Sequence, residues 1–251
     1  MESKKSIAVI GSGSWATAIA KILHENREEI NWYIREQGII DRIKLHRNNP
    51  NYLSSVYFDT NKTNLSNDIN EVVENSDIIV FVVPSIFLKT WLEPLTSTLK
   101  NKFVVTAIKG IVPGDNITVA EYFNQEYSVP FDNIGVISGP CHAEEVALGR
   151  LSYLTFSCKK QSEAEHLASF FKSYYIKTTT GTDIYGTEYS AVLKNIFAMA
   201  TGIAHGLGYG DNFLAVLVSN AQLEIKHFLD KTYPSKREIN TSAYLGDLLV
   251  T

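Results

Sequence analysis

The sequence predicts an α/β protein: a doubly wound parallel sheet followed by a second, all-helical domain. Three observations predict it. A glycine turn, G11-S-G-S-W-A16, stands between a short apolar run and an alanine-rich stretch. Apolar runs of β type then alternate with helical or loop segments up to about residue 176, as in a parallel sheet covered on both faces. After T180-G-T182 the alternation stops, and residues 188–229 read as long helices broken by G206-L-G-Y-G-D211. The boundary is expected near Asp183, giving domains 1–182 and 183–251.

The first strand is the apolar run of residues 7–10, and its turn has the form G-x-G-x-x-A at Gly11, Gly13 and Ala16. Strand, glycine turn and helix in that order suit a dinucleotide pyrophosphate. Gly11 permits the tight turn, Gly13 lets backbone approach phosphate, and Ala16 lets helix pack on strand while free N–H groups face the anion. A second strand at residues 30–34 runs into Arg35 and Glu36. An acidic side chain there bonds the ribose 2′-hydroxyl, whereas an arginine holds a 2′-phosphate. Arg35 favours NADP, the adjacent Glu36 keeps NAD open, and Arg35 also reads as a solvated strand-end charge.

Further strands are expected at residues 78–83, 103–106, 134–137 and 152–157. D77-I-I-V-F-V-V-P84 is apolar throughout, as a central strand should be, and Pro84 ends it. Three clusters fall where such strands end, which is where open α/β sheets bind ligands: V83-P-S85, A107-I-K-G110 and S138-G-P-C-H-A-E-E-V-A147. Lys109 projects into the crevice in this reading. Ser138, Gly139 and Pro140 precede a helix-like run that offers N–H groups to an anion. His142 has no paired carboxylate or nucleophile, which favours a structural or cofactor-side role over a general base. Cys141, near a helix start, is open to slight acidification. In the helical part, Y189-S-A-V-L-K-N-I-F-A-M-A-T-G202 buries a lysine, Lys194, beside Asn195. Burial lowers a lysine pKa toward a range suited to proton transfer; a snorkelling lysine is the alternative.

Composition narrows the function further. The 251 residues are 45% hydrophobic and 20% charged, ordinary for a globular protein and too apolar for a disordered one. A net charge of -4 argues against general nucleic-acid binding. Two cysteines, Cys141 and Cys158, form neither a disulfide framework nor a metal-type cluster, so no metal and a reducing cytoplasm are expected. The opening M1-E-S-K-K-S enters a strand at once, with no room for a signal peptide. No apolar run reaches the ~18 residues of a membrane span.

Taken together these motifs resemble the bacterial-type NAD(P)-dependent glycerol-3-phosphate dehydrogenases, from residue 7 to the end of the chain. The resemblance rests on G-S-G-S-W-A-T-A-I-A, Y-x-R at Tyr33 and Arg35, Asn-Tyr-Leu at 51–53, V-V-P-S, I-K-G and S-G-P-x-x-A-x-E-V-A. It continues through L-K-N, G-L-G-x-G-D-N and L-G-D-L-L-V-T. It implies a Rossmann-like domain followed by a helical domain like the C-terminal one of 6-phosphogluconate dehydrogenase, with the active site in the cleft between them. It implies NAD(P)H-dependent reduction of dihydroxyacetone phosphate to sn-glycerol 3-phosphate for phospholipid synthesis, where Arg35 favours NADPH over NADH, and a homodimer. Carried over by position, Gly11, Gly13, Ser14, Trp15, Arg35, Tyr52, Pro84, Lys109 and Ala143 contact the cofactor. Lys109, Gly139, Cys141, Lys194, Asp247 and Thr251 line the substrate side. Lys194 is the catalytic acid/base, with Asn195 beside it and Asp247 holding it in position.

Departures from the family pattern are Ala16 for a third glycine, Cys141-His142 for the common Ser-Phe, and His205 where an acidic residue is frequent. Family chains also continue into a Ser-Arg-Asn phosphate-gripping segment, so the sequence is expected to be truncated at Thr251. The competing readings are a related two-domain 2-keto or 3-hydroxyacid dehydrogenase and a non-catalytic NADP-binding remnant.

Overall fold

The computed structural model describes residues 5–26 and 29–251, so the reading of the first four residues lies outside the described residues. An eight-stranded sheet runs β3-β2-β1-β4-β5-β6-β7-β8, built from β1 (Ile7–Ile10), β2 (Ile30–Tyr33), β3 (Thr63–Ser66), β4 (Ile78–Phe81), β5 (Phe103–Thr106), β6 (Ile134–Ser138), β7 (Ser152–Cys158) and β8 (Ile176–Gly181). The first six strands are mutually parallel; β7 is antiparallel to β6, and β8 parallel to β7. The expected doubly wound parallel sheet is thus present, with one antiparallel junction, β6 to β7.

Strand periodicity explains the two cores. Ile7 and Val9 of β1, with Ile78 and Val80 of β4, join one cluster; Ala8, Ile10, Ile79 and Phe81 join the other. The first is covered by α1 (Ser14–Asn26) and α2 (Gln37–His46), the second by α3 (Ile69–Glu74), α4 (Leu88–Leu92) and α5 (Val119–Tyr127). Central strands buried on both faces read as continuous apolar runs for this reason. Edge strands do not. β3 (TNLS) and β8 (IKTTTG) carry mostly polar residues, which is why neither was expected from the sequence. The strands expected at 30–34 and 78–83 end sooner, at Tyr33 and Phe81, because their last residues turn into the site loops.

Past α6 (Ala143–Ala147) and α7 (Gln161–Ser169), the chain leaves the sheet at β8 and enters α8 (Ile184–Gly206), then α9 (Asp211–Thr232). Asp183 caps α8 by accepting from the Gly186 N–H at 3.0 Å. Gly186 is required there, since a Cβ would strike both Asp183 and the Tyr244 hydroxyl. The helices pack on Ala221, Ile225, Leu229, Ala243, Tyr244 and Leu248. They meet the sheet through hydroxyls, Ser157 to Thr187 at 2.7 Å and Thr155 to Ser242 at 3.2 Å. A five-residue π turn, Ser242–Gly246, leads into α10 (Asp247–Leu249). Arg237 ties this return segment down, donating to Asp183 at 2.8 Å and to the Tyr233 carbonyl at 2.7 Å. No helix among the described residues is long and apolar enough to cross a membrane.

Candidate active site

The glycine turn is pinned between its neighbouring strands. The Gly11 N–H donates to the Tyr33 carbonyl at 3.2 Å, and its φ of 138° directs a hypothetical Cβ into the Val82 carbonyl, so no other residue fits. Gly13 differs, because a Cβ there would meet nothing within 4 Å; its free face is open space above the start of α1. That space is a cleft of about 410 Å³, lined by Gly13, Ser14, Trp15 and Ala16, by Val82, Val83 and Pro84 after β4, by Ala107, Ile108 and Lys109 after β5, and by Cys141, His142, Ala143 and Glu144 after β6. It therefore sits across the carboxyl ends of parallel strands, where this architecture places ligands. The Trp15 Nε1–H is buried without a partner among the described residues. An orphaned indole donor, an open glycine face and the free N–H groups of a helix start fit a polyanionic dinucleotide. A larger polar groove of about 710 Å³ opens at the amino end of the strands, around Ser6, Asn31 and Thr63. None of the sequence-predicted residues reaches it.

Other predicted residues lie around the cleft. Arg35 is half exposed, 3.4 Å from Glu36 and with its guanidinium over the Trp91 ring at 5.1 Å. Tyr52 is 44% exposed and does not line the cleft. Gly139 has a φ of 120°, and a Cβ would come within 2.7 Å of the Tyr153 carbonyl, so its glycine is demanded by backbone approach. Cys141 is buried, and burial pushes its thiol up to about 12. The slight acidification expected at a helix start is thereby corrected, because desolvation outweighs any helix-end effect. His142 faces the Val250 carbonyl, 3.2 Å from Nε2.

Lys109 joins the cleft to a second cluster. Its Nζ lies 3.6 Å from Asp247 Oδ1, and the same carboxylate oxygen takes Lys194 Nζ at 2.7 Å. Lys194 also donates to the Thr251 hydroxyl at 2.8 Å, which in turn donates to the Asp247 carbonyl at 2.6 Å. Ser138 Oγ reaches the other Asp247 oxygen at 3.5 Å. Lys194 and Asp247 are 5% and 1% exposed. Burial lowers the Lys194 pKa to about 8, with Asp247 opposing and the nearby Lys109 cation reinforcing the fall. Two ammonium groups around one carboxylate leave a net positive pocket. Asn195, one step around α8, is exposed and outside this hydrogen-bonded cluster.

Three supporting residues escaped the sequence reading. Asn49 is fully buried; its amide donates to the Ser12 carbonyl at 3.0 Å and Thr17 Oγ1 at 2.9 Å, while its Oδ1 accepts from the Asn51 and Tyr52 N–H groups. It couples the Tyr52 loop to the glycine turn. Ser12 Oγ donates to Glu36 at 3.1 Å. Glu188, buried on α8, accepts the Ala120 N–H at 3.1 Å at the start of α5. Only the Asn49 amide had a local cue, its place before the Asn-Tyr-Leu motif.

The chain is similar to known proteins along nearly its whole length. Residues 6–164 match the model of the N-terminus, and residues 183–251 that of the C-terminus, of NAD-dependent glycerol-3-phosphate dehydrogenase. A glycerol-3-phosphate dehydrogenase [NAD(P)+] of Streptococcus agalactiae is 32% identical over 251 residues, covering 99% of this chain and 74% of the relative. The Streptococcus pneumoniae enzyme of the same name is 32% identical over 250 residues, with the same coverage. Among solved structures, the glycerol-3-phosphate dehydrogenase of Coxiella burnetii superposes with a TM-score of 0.85 at 26% identity, covering 98% of this chain and 75% of that one. That of Saccharomyces cerevisiae reaches 0.88 at 25% identity, covering 99% and 77%. With both family models matched and a relative at this identity along nearly the whole chain, the protein belongs to the NAD-dependent glycerol-3-phosphate dehydrogenase family.

Proposed function

We propose that this chain reduces dihydroxyacetone phosphate to sn-glycerol 3-phosphate with NAD(P)H, in the cytoplasm and as a supply of glycerophospholipid precursor. The observation that carries the reading is Lys194, a buried ammonium held by Asp247, whose carboxylate also meets Lys109 at the edge of the cleft above the glycine turn. When bound, the reduced nicotinamide supplies the hydride to the C2 carbonyl carbon. Lys194 then has the remaining task, polarising the carbonyl oxygen and delivering a proton to it. Of its three N–H donors, Asp247 and Thr251 engage two, and the third serves the substrate oxygen. Asp247 fixes the ammonium's position and keeps its pKa from falling further. Lys109, reaching both cleft and cluster, contributes the cationic charge that a phosphate monoester requires. Ser14, Trp15, Pro84 and Ala143 line the cleft and take the dinucleotide in this assignment; Arg35 and Tyr52, outside that lining, are assigned to the adenosine end by the family resemblance. We place the boundary between dinucleotide and helical domains at 182/183, between the end of β8 and the capping Asp183, and propose that the chain acts as a homodimer.

The test is the loss of reduced-nicotinamide absorbance on adding dihydroxyacetone phosphate, with Lys194→Met alongside. Turnover is expected to fall by about a hundred- to ten-thousand-fold in the variant, with dinucleotide binding retained. Equal turnover in both proteins removes Lys194 from the chemistry. Turnover with 2-keto acids and none with dihydroxyacetone phosphate replaces the substrate assignment.

A further inference from the structure

Glu36 occupies the first position before α2, yet its carboxylate makes no capping bond to that helix. Glutamate is not a favoured cap, and α2 alone gives no reason for this residue. The side chain instead turns back to the glycine turn, where Oε2 accepts from Ser12 Oγ at 3.1 Å. The Ser12 carbonyl is held in turn by the buried Asn49 amide at 3.0 Å, so the residue that anchors Glu36 is itself fixed. The neighbouring cation is drawn to one side. Arg35 lies over Trp91 at 5.1 Å, and Trp91 packs edge-on against Tyr33 of β2 at 5.7 Å. Its guanidinium is also partly neutralised by Glu36 Oε1 at 3.4 Å. At the end of the second strand, beside the glycine turn, the group presented is thus a tethered carboxylate. In this architecture that position meets the adenosine ribose, and a carboxylate there accepts the 2′-hydroxyl.

We propose that Glu36, held by Ser12, is the residue that sets cofactor choice in this chain, accepting the 2′-hydroxyl of NAD(H) and opposing the 2′-phosphate of NADP(H). The inference rests on the dinucleotide site described above. A phosphate monoester carries about -1.5 to -2 charge near neutral pH, and bringing it beside a fixed carboxylate works as a repulsive specificity element. Arg35 attracts that phosphate less than a free arginine does, because it already answers Glu36. Glu36→Gln removes the charge while keeping a hydrogen-bonding oxygen, and it leaves Arg35 unpaired.

The experiment is equilibrium titration of the full chain with NADH and with NADPH, followed by quenching of tryptophan fluorescence, in wild type, Glu36→Gln and Ser12→Ala. Glu36→Gln is expected to tighten NADPH about tenfold while NADH stays the same or weakens, a change of about 1.4 kcal/mol in the preference. Ser12→Ala, which unties the carboxylate, moves the ratio the same way by a smaller factor. Added salt narrows the wild-type gap by screening the exposed carboxylate, and does so less in Glu36→Gln. Equal changes for both dinucleotides, or a ratio shifted less than about twofold, a few tenths of a kcal/mol, overturn the proposal. Failure of wild type to bind either dinucleotide overturns the site itself, and the proposal with it.

Discussion

Lys194 illustrates how one residue acquires a function from its surroundings. On a solvated helix it would be an ordinary cation; on α8 it is buried, and only Asp247 keeps the charged form favourable. Burial is the largest influence and brings its pKa to about 8. Carbonyl reduction uses the ammonium form, so its rate is expected to fall as pH rises through that value. Alcohol oxidation uses the amine and is expected to rise over the same interval. Asp247→Asn removes the opposing charge, lowers the lysine pKa further, and moves both limbs to lower pH by about one unit. Rate profiles in the two directions check this, and profiles that do not shift would show that Asp247 leaves the titrating group alone.

Among elements, the contact of α8 with α5 has its own titration. The Glu188 carboxyl, taken out of water, is pushed up to about 7, although the N–H of Ala120 at the start of α5 partly stabilises its ionised form. The folded state therefore holds this proton more tightly than the unfolded chain, whose glutamate titrates near 4.5. The stability it contributes is fully present below 4.5 and is lost as pH rises toward 7. Glu188→Gln is expected to flatten that slope, with denaturant midpoints for variant and wild type diverging between pH 5 and 8 by up to about 3 kcal/mol. Parallel midpoints across that range would mean that the carboxylate stays ionised at the helix start. Legibility differs at this scale too. β1 and β4 were readable because both faces are buried and every residue in them is apolar. β3 and β8 were hidden because edge strands tolerate polar residues.

Across the whole molecule, the helical part leaves an apolar surface uncovered. Ile196, Met199 and Ile203 of α8 and Phe213, Val216 and Leu223 of α9 are all exposed. Exposed apolar side chains at helical spacing on two paired helices suit an interaction surface. The 251-residue chain is expected to associate as a dimer through it, with light scattering giving twice the monomer mass. Ile203→Glu combined with Val216→Glu is expected to return the monomer while NADH binding persists. A wild-type chain that is monomeric at all concentrations refutes this use of the surface.

The sequence by itself determined the strand, glycine turn and helix that open the chain, a sheet covered on both faces, the helical second part and the family, because these depend on local pattern and on the order of motifs. Most of the candidate site residues were legible in the same way, as polar or glycine residues at strand ends and one lysine in an apolar helix. Only the tertiary structure decided what those residues do to one another. Lys194 and Asp247 meet across 53 positions of chain, Glu36 folds back on Ser12, and burial pushes the Cys141 thiol up to about 12. Distance, burial and dielectric set the charge state of each group, and those belong to the packed chain, where residues far apart in sequence become neighbours.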